Sequence, residues 1–479
     1  MASQFFNSSA KPWTPAEYQK TAVKFGLEIG GAGFLLDPGL GKTSISLAIT
    51  KILLKQKIIK GVLVIAPKMV CYNVWRQEAE KWLDFNELSV GLLHGKKKLD
   101  ILREDHDIYL INPEGLKWLW EDKRASHYLG KMDMLILDES TKFKRTSTDR
   151  FMRLRKNIHR FHRRYILTGT PAPNGIQDIF GQIFVLDGGA TLGKYITHFR
   201  RKYMYQNPYA DDFKWLMRPG ADKEIYDLIS PFCMRLAAED WLKLPELQVV
   251  DTRVDLPPKV FDQYKQLEDE FFTVFGEDGE VLAVNSGALR IKLQQVCNGA
   301  VYTQDPETGK REVTKVHKAK VEALEDLVDD LQGSPLLCFY SFRHDVQVIR
   351  EKLGYEVPFL GNGVSEAQSS ALCLSFNAGN IPLLLAHPAS VGHGLNLQGA
   401  SSHVAFYGMT WDLEHYEQGL RRVWRQGNTS TRVIVHRFVA ANTVDETISK
   451  ALSMKGKVQN TLLTALKQKR QELLHLKSK

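Results

Sequence analysis

Short apolar segments alternate with longer helical patterns along most of this 479-residue chain, and this alternation limits its fold more than any other feature. The apolar segments have strand length and lie at residues 34–36, 62–66, 108–111, 134–137, 165–167, 336–340, 382–386, 403–407 and 433–438. Strands that alternate with helices predict parallel sheets joined by right-handed crossovers. The pattern weakens between residues 185 and 235 and then resumes, so the sequence predicts two α/β lobes with a less regular middle.

Composition excludes several other classes of protein. The chain is 43% hydrophobic and 25% charged, which is typical of packed proteins rather than disordered ones. No apolar run approaches the roughly 20 residues that cross a bilayer, and the first residues lack the pattern of a secretory signal. The five cysteines are scattered without a CxxC pair, which argues against a disulfide framework and a zinc site. We therefore expect a cytoplasmic protein with no membrane partner.

A glycine-rich loop follows the first apolar segment and precedes a helical pattern. Residues 36–44 read LDPGLGKTS, with Leu36 where the simple P-loop pattern has its first glycine. Gly39 and Gly41 let backbone N–H groups turn around a phosphate, Lys42 would reach the β- and γ-phosphates, and Thr43 would hold Mg²⁺. The alternative is a glycine-rich turn that contains GKT by chance. The nucleotide-binding candidates of this loop are Gly39, Gly41, Lys42, Thr43 and Ser44.

An acidic pair follows the apolar segment at 134–137. Adjacent carboxylates at the end of a strand suit a nucleotide site, because Asp138 can hold Mg²⁺ and Glu139 can orient and deprotonate the attacking water. A lone Asp-Glu pair is more often a surface loop, but four buried-type residues directly before it argue against that alternative. The two elements together predict ATP and Mg²⁺ as cofactors, with Thr43 and Asp138 as the metal ligands and Glu139 as the catalytic base.

The order of these motifs resembles that of superfamily-two helicases, and within them the Swi/Snf-type translocases of double-stranded DNA. The matching N-terminal segments are YQ at 18–19, APKMVCYNVWRQEAEKW at 66–82, DEST at 138–141, LTGTPAPN at 167–174, PFCMR at 231–235 and LP at 244–245. The matching C-terminal segments are LQQVCN at 293–298, GHGLNL at 392–397, WD at 411–412, QGLRRVWRQG at 418–427 and TVDETI at 443–448. In this resemblance Gln19 takes the place of the glutamine that reads adenine.

The resemblance implies two tandem RecA-like parallel-sheet lobes with the ATP site in the cleft between them. The predicted division is a helicase ATP-binding lobe at residues 1–240 and a helicase C-terminal lobe at 241–479. A basic pattern after Lys450 has apolar residues at helical spacing and predicts an amphipathic C-terminal helix. That helix either touches nucleic acid or packs on the second lobe.

Three polar residues of the second lobe have the spacing of one helix face. Gln418, Arg422 and Arg425 lie at i, i+4 and i+7, so a continuous helix would present them together. An arginine finger stabilises charge on a transferring phosphoryl group and can contribute about 10³–10⁵ in rate. A solvated basic face is the alternative. With Glu139, these three residues complete the predicted catalytic set.

The sequence thus predicts an ATP hydrolase that binds nucleic acid without sequence preference, with duplex DNA favoured, and that couples hydrolysis to translocation or remodelling. The net charge of +9 is compatible with a polyanionic partner. Candidate phosphate contacts are Lys68, Lys142, Arg343 and the basic segment 144–164. Two alternatives stay open: a strand-separating DNA or RNA helicase, and an ATP-gated DNA clamp with low turnover. We expect a bacterial or phage-infected host as its setting.

Overall fold

The chain divides into two compact units, each built around its own parallel sheet. The computed structural model describes residues 10–206, 215–274, 282–304, 311–391 and 395–477. We call Met1–Leu242 with Lys455–Lys479 lobe 1, and Lys243–Met454 lobe 2. The predicted division between residues 240 and 241 falls beside the boundary after Leu242, whereas the segment from Lys455 groups with lobe 1 and not, as predicted, with the second lobe.

Lobe 1 contains a seven-stranded sheet, in which all pairs are parallel, and a separate antiparallel hairpin of β7 and β8. The strands are β1 (Gly31–Leu36), β2 (Val62–Ile65), β3 (Val90–Leu92), β4 (Ile108–Ile111), β5 (Met134–Asp138), β6 (Arg163–Thr168), β7 (Met204–Gln206), β8 (Trp215–Met217) and β9 (Cys233–Leu236). Their order in the sheet is β3-β4-β2-β5-β6-β1-β9. Strands β2, β4 and β5 are buried along their whole length, as expected where helices cover both faces of a parallel sheet.

The helices of lobe 1 connect these strands. They are α1 (Glu17–Glu28), α2 (Lys42–Lys55), α3 (Lys68–Asn73), α4 (Trp75–Lys81), α5 (Lys98–Arg103), α6 (Leu116–Glu121), α7 (Lys123–Ser126), α8 (Asp149–Asn157), α9 (Ile179–Asp187), α10 (Ile196–Tyr203) and α11 (Ala221–Ile229). The basic segment 144–164 contains α8, and its apolar residues Leu154, Ile158 and Phe161 are buried. The less regular middle consists of α9 to α11 and the β7–β8 hairpin.

Lobe 2 contains a six-stranded parallel sheet of order β10-β17-β16-β13-β15-β14 and an antiparallel pair of β11 and β12. Its strands are β10 (Glu246–Val254), β11 (Ala300–Gln304), β12 (Arg311–Lys315), β13 (Leu336–Phe339), β14 (Phe359–Leu360), β15 (Leu383–Ala386), β16 (His403–Phe406) and β17 (Arg432–Ala440). The helices that begin in this lobe are α12 (Pro258–Val274), α13 (Leu282–Asn298), α14 (Ala319–Asp330), α15 (Arg343–Leu353), α16 (Glu366–Asn377), α17 (Pro388–Val391), α18 (Leu413–Leu420) and α19 (Val444–Lys477).

A buried polar network holds the helices of lobe 2 together. The Lys320 ammonium contacts Asp445 at 2.5 Å and donates to Asn298 Oδ1 at 3.0 Å, with the Lys320 and Asp445 side chains 0% exposed. Asn298 Nδ2 donates in turn to Asp345 at 3.0 Å. Since buried charges must be paired, this network fixes how α13, α14, α15 and α19 meet. The motifs LQQVCN and TVDETI therefore contribute to the scaffold of the lobe.

The apolar segments that the sequence marks as strands all form strands of the two sheets. The helix predicted after Lys450 is also present, as part of α19. Among the described residues, no helix combines the length and the apolar character needed to cross a lipid bilayer.

Candidate nucleotide site

Three loops meet at one edge of the lobe 1 sheet. Strands β5, β6 and β1 are adjacent and parallel, so their carboxyl ends reach the same edge. The loops that follow them contain DEST, TGTP and the glycine-rich loop, respectively. A Cβ at Gly169 would lie 3.3 Å from the Leu36 carbonyl oxygen and 3.1 Å from Pro38 Cδ, so the second loop packs closely against the third, and a larger residue would have to displace it by a few tenths of an ångström.

The glycine-rich loop has the backbone that phosphate binding requires. Gly39 and Gly41 have φ of 92° and 77°, a left-handed conformation that favours glycine, and α2 begins directly after them at Lys42. Gln19 lies against this loop, because its Nε2 donates to the Leu40 carbonyl at 3.3 Å. A Cβ at Gly41 would be 2.5 Å from that nitrogen. The predicted nucleotide-binding residues Gln19, Gly39, Gly41 and Lys42 therefore come together.

Lys42 lies among carboxylates at this edge. Its ammonium donates to the Leu36 carbonyl at 2.9 Å. Burial lowers the pKa of the Lys42 amine, while the carboxylates of Glu139, Asp138 and Asp37 act in the opposite direction. A cation in this position can exchange its carbonyl partner for the oxygens of a phosphate.

Asp138 ends β5 and is buried against an indole. Its Oδ2 accepts a hydrogen bond from Trp75 Nε1 at 2.9 Å. Burial raises the pKa of the Asp138 carboxyl, and the bond from Trp75 and the charge of Lys42 oppose that rise. Thr43 is the second residue of α2 and is partly buried. A carboxylate and a hydroxyl are hard oxygen ligands, so the chemistry of Asp138 and Thr43 fits Mg²⁺.

Glu139 has a strained backbone. Its φ and ψ are 53° and 59°, the left-handed conformation that residues with a Cβ rarely adopt, and its N–H donates to Asp138 Oδ1 at 3.1 Å. A 3₁₀ turn, Ser140–Phe143, begins after it. Strain of this kind persists where the surroundings impose it and is concentrated at functional sites. The strained backbone fixes the direction in which the predicted base leaves the sheet.

Helix α4 braces the site with side chains whose roles the sequence analysis did not assign. Glu78 accepts hydrogen bonds from Ser44 Oγ and from Trp82 Nε1, both at 2.7 Å. The Ser44 hydroxyl is thus directed towards Glu78, which leaves its backbone N–H as its means of binding a phosphate. Trp75 and Glu78 are spaced i, i+3 on this helix, and that spacing is the signal that could have identified them as a pair.

Gln182 connects the DEST and TGTP loops. Its Oε1 accepts from Ser140 Oγ at 2.6 Å, and its Nε2 donates to the Pro171 carbonyl at 2.6 Å. Gln182 lies on α9, whose residues up to Leu186 are all buried. No local sequence pattern singles out this residue, because its importance depends on two loops that meet only in the fold.

The predicted single helix face in lobe 2 is wrong for two of its three residues. Gln418 lies in α18, but that helix ends at Leu420, so Arg422 and Arg425 follow it in a turn. The Arg422 Nε donates to the Gln418 carbonyl at 3.1 Å, which is one of the orphan carbonyls of the last helical turn. The side chain predicted to extend the face therefore caps the helix instead.

The two arginines have different surroundings. Arg422 is only 9% exposed, and its Nη1 donates to the Leu395 carbonyl at 3.0 Å in addition to the bond to Gln418. Arg425 donates through Nη1 to Asn396 Oδ1, but its buried Nε has no hydrogen-bond partner among the described residues. The same holds for Gln418 Oε1. Burial lowers the pKa of the Arg425 guanidinium.

The candidate nucleic-acid contacts belong to different elements of the two lobes. Lys68 and Arg343 are exposed first residues of α3 and α15, and Lys142 is partly buried in the 3₁₀ turn after Glu139. Much of the basic segment 144–164 is engaged within lobe 1. For example, Arg153 pairs with Glu121 at 2.6 Å. Residues 392–394 of the GHGLNL motif lie outside the described residues.

Comparison with known proteins finds two family models along the chain. The SNF2-related domain matches residues 18–301, and the helicase conserved C-terminal domain matches residues 319–427. Protein p41 of Acyrthosiphon pisum secondary endosymbiont phage 1 is 32% identical over 96% of this chain and 100% of its own length. DNA repair and recombination protein RAD54B of Gallus gallus is 24% identical over 87% of this chain, which spans only 50% of that protein. The Sulfolobus solfataricus SWI2/SNF2 ATPase core in complex with dsDNA is 21% identical, covers 96% of this chain and 95% of its own, and has a TM-score of 0.43.

Proposed function

The chain belongs to the SNF2-related family of helicase-like ATPases, and from that premise we propose that it is a motor that couples ATP hydrolysis to movement along duplex DNA. The observation that carries this proposal is the edge of the lobe 1 sheet. There the glycine-rich loop with Lys42 follows β1, while Asp138 ends β5 and the strained Glu139 follows it, and only β6 separates the two strands. An edge of this kind suits hydrolysis of a nucleoside triphosphate.

Each residue of the edge has a role in the proposed reaction. Lys42 and the backbone N–H groups of the loop bind the phosphates of ATP, and Gln19 takes part in binding the base. Thr43 and Asp138 would hold Mg²⁺, which neutralises charge on the β- and γ-phosphates when bound. Glu139 orients the attacking water and accepts its proton. Trp75 fixes the orientation of Asp138 through the indole N–H.

Arg425 of lobe 2 is the proposed arginine finger. Its guanidinium has a buried N–H without a partner among the described residues, and such a group gains from a phosphate oxygen as acceptor. Gln418 is proposed to support Arg425, because its buried Oε1 also has no hydrogen-bond partner among the described residues. Arg422 contributes to the site by holding the turn on which Arg425 lies, since its Nε and Nη1 donate to the backbone carbonyls of Gln418 and Leu395 in lobe 2.

Duplex DNA is the proposed track, bound through its phosphates and without sequence preference. RAD54B, which is similar to this chain, is a DNA repair and recombination protein by name, and this favours DNA over RNA. Exposed Lys68 and Arg343 are the proposed contacts. The similarity to a phage protein supports the cytoplasm of a bacterium or of its phage-infected state as the setting.

A comparison of nucleic acids tests the proposal. ATP turnover of the full chain would be measured with duplex DNA, single-stranded DNA and RNA, beside displacement of a third strand from a triplex and separation of a forked duplex. We expect duplex DNA to stimulate turnover most and the third strand to be displaced without fork separation. Fork separation would favour the helicase, and duplex binding with turnover near that of the Glu139→Gln variant would favour the clamp.

A further inference from the structure

A buried ion pair joins the start of the glycine-rich loop to the edge strand β9. Asp37 is the first residue after β1, and its Oδ1 accepts from Arg235 Nη1 at 2.6 Å. Its Oδ2 accepts from the Ala238 N–H at 3.0 Å. Both charged side chains are less than a tenth exposed. A carboxylate in such surroundings requires its partners, because an unpaired buried charge is strongly unfavourable.

The same guanidinium also holds two strands. Arg235 Nη1 donates to the carbonyls of Leu35, in β1, and Leu236, in β9, at 3.1 and 2.8 Å. Leu35 and Arg235 are partners in the parallel register of these strands. One side chain therefore fixes where β1 ends and where the loop begins. All three bonds, to Asp37 and to the two carbonyls, are donated by this one nitrogen, which the buried side chain holds between the strands.

The segment after Arg235 also contacts the loop. A Cβ at Gly39 would lie 3.4 Å from Leu242 Cδ1, so the Leu242 side chain packs beside the left-handed glycine. Tyr18, next to Gln19, contacts Trp241 with ring centroids 5.2 Å apart. Residues 235–242 thus touch the loop at its beginning and its middle, and their side chains reach the helix that carries Gln19.

We propose that Arg235 is a positioning residue for the glycine-rich loop, which acts through Asp37 to hold the loop in the conformation that binds the phosphates of the nucleotide. The inference rests on the proposed function, because it assigns to the loop the phosphate-binding role proposed above. Arg235 has no catalytic part, since its bonds are to Asp37 and to carbonyls of the sheet.

The test measures binding of a fluorescent ADP, mant-ADP with Mg²⁺, to the full chain and its variants. Arg235→Met removes every bond of the guanidinium, and coupling between separate sites typically changes an affinity by about 5–150-fold, so we expect a dissociation constant raised by one to two powers of ten. Arg235→Lys keeps a charge for Asp37 and should lose less. Residues that share one network are not additive, so Arg235→Met should cost several-fold less in an Asp37→Asn background than alone.

Arg163→Met is the matched control. Arg163 donates through Nη1 to the Leu27 carbonyl at 3.1 Å and begins β6, so it lies at the opposite end of the same sheet. Its loss should lower the melting temperature of lobe 1 without changing the affinity for mant-ADP. If Arg235→Met does not fold, Arg235→Lys is compared with Arg163→Lys in the same way.

The outcomes separate the inference from the proposed function. A wild-type chain that does not bind mant-ADP would refute the nucleotide site itself. A wild-type chain that binds, with Arg235 variants that bind within twofold of it, would overturn the positioning role alone. Weaker binding in the Arg235 variants, restored in part by lysine and absent from the Arg163 control, supports it.

Discussion

The strained backbone of Glu139 predicts that the Glu139→Gly variant has a more stable lobe 1 than the Glu139→Ala variant. With φ of 53° and ψ of 59°, any residue with a Cβ at position 139 bears a cost of about 1–2 kcal/mol that glycine avoids. Glycine loses about 0.5–1 kcal/mol more backbone entropy than alanine on folding. The difference favours Glu139→Gly over Glu139→Ala by about 0.5–1 kcal/mol, because both variants lack the carboxylate and differ only in the Cβ.

The assay is thermal unfolding of the two variants, followed at the transition of lobe 1. A difference of 1 kcal/mol corresponds to about 2–4 °C for a domain of this size class, so Glu139→Gly should melt a few degrees above Glu139→Ala. Glu80, which is exposed on helix α4, gives the control. There Glu80→Gly should melt below Glu80→Ala, because glycine costs about 1 kcal/mol in an ordinary helix.

The rate of ATP hydrolysis should not follow this difference in stability. Both variants, and Glu139→Gln, lack the carboxylate that accepts the proton of the attacking water, so none should hydrolyse ATP at the wild-type rate. Glu139→Gln should still bind ATP. An alanine variant as stable as the glycine variant would refute the strain, and near-normal turnover in Glu139→Gln would refute the assignment of the base.

Three further predictions concern charge. Lys42→Ala should abolish ATP turnover, which a steady-state phosphate-release assay measures, because it removes the cation at the end of the loop. Arg422→Ala should lower the free energy of unfolding of lobe 2 by about 2–4 kcal/mol, because it leaves two carbonyls unpaired. Arg425→Ala should keep the stability of lobe 2 and lose about 10³-fold in DNA-stimulated turnover. Equal losses of stability in the two variants would contradict a structural role for Arg422 and a catalytic role for Arg425. In a log–log plot against salt concentration, the affinity for duplex DNA should fall with a slope near −0.9 per phosphate contact, which is about two to three decades between 50 and 200 mM for about five contacts. A slope near zero would contradict nucleic-acid binding. A slope unchanged by removal of the residues after Lys450 would show that the tail does not contact DNA phosphates.

Much of the fold could be predicted from the sequence because parallel sheets leave a direct trace in it. A strand buried on both faces is a short continuous apolar run, such as Val62–Ile65 or Met134–Asp138, and the helices between such runs must cover the sheet. The less regular middle could not be predicted in detail. Helix α9 is buried on all sides, so its sequence lacks the alternation of apolar and polar residues that indicates a surface helix. Its Gln182 nevertheless lies between two loops of the site.

Local spacing predicts the relative placement of candidate residues within one loop, but it does not predict where a helix ends. Gly39, Gly41 and Lys42 are consecutive parts of one loop, and the structure places them as their spacing predicts. The i, i+4, i+7 spacing from Gln418 to Arg425 fits one helix equally well, but the pattern cannot reveal that α18 ends at Leu420. A side chain stabilises that end, because Arg422 Nε donates a hydrogen bond to the Gln418 carbonyl, which would accept a backbone N–H in a longer helix.

The residues that hold the site have partners far away in the chain. Trp75 orients Asp138 from 63 positions away, Gln182 holds Ser140 from 42, and Arg235 holds Asp37 from 198. These pairs form because the sheet order β2-β5-β6-β1-β9 brings distant segments together, and chain order does not determine that order. The residues proposed to contact the nucleotide can thus be identified from the sequence, whereas the residues that position them can be identified only from the fold. A substitution at Arg235 should therefore weaken nucleotide binding without any change in the P-loop sequence.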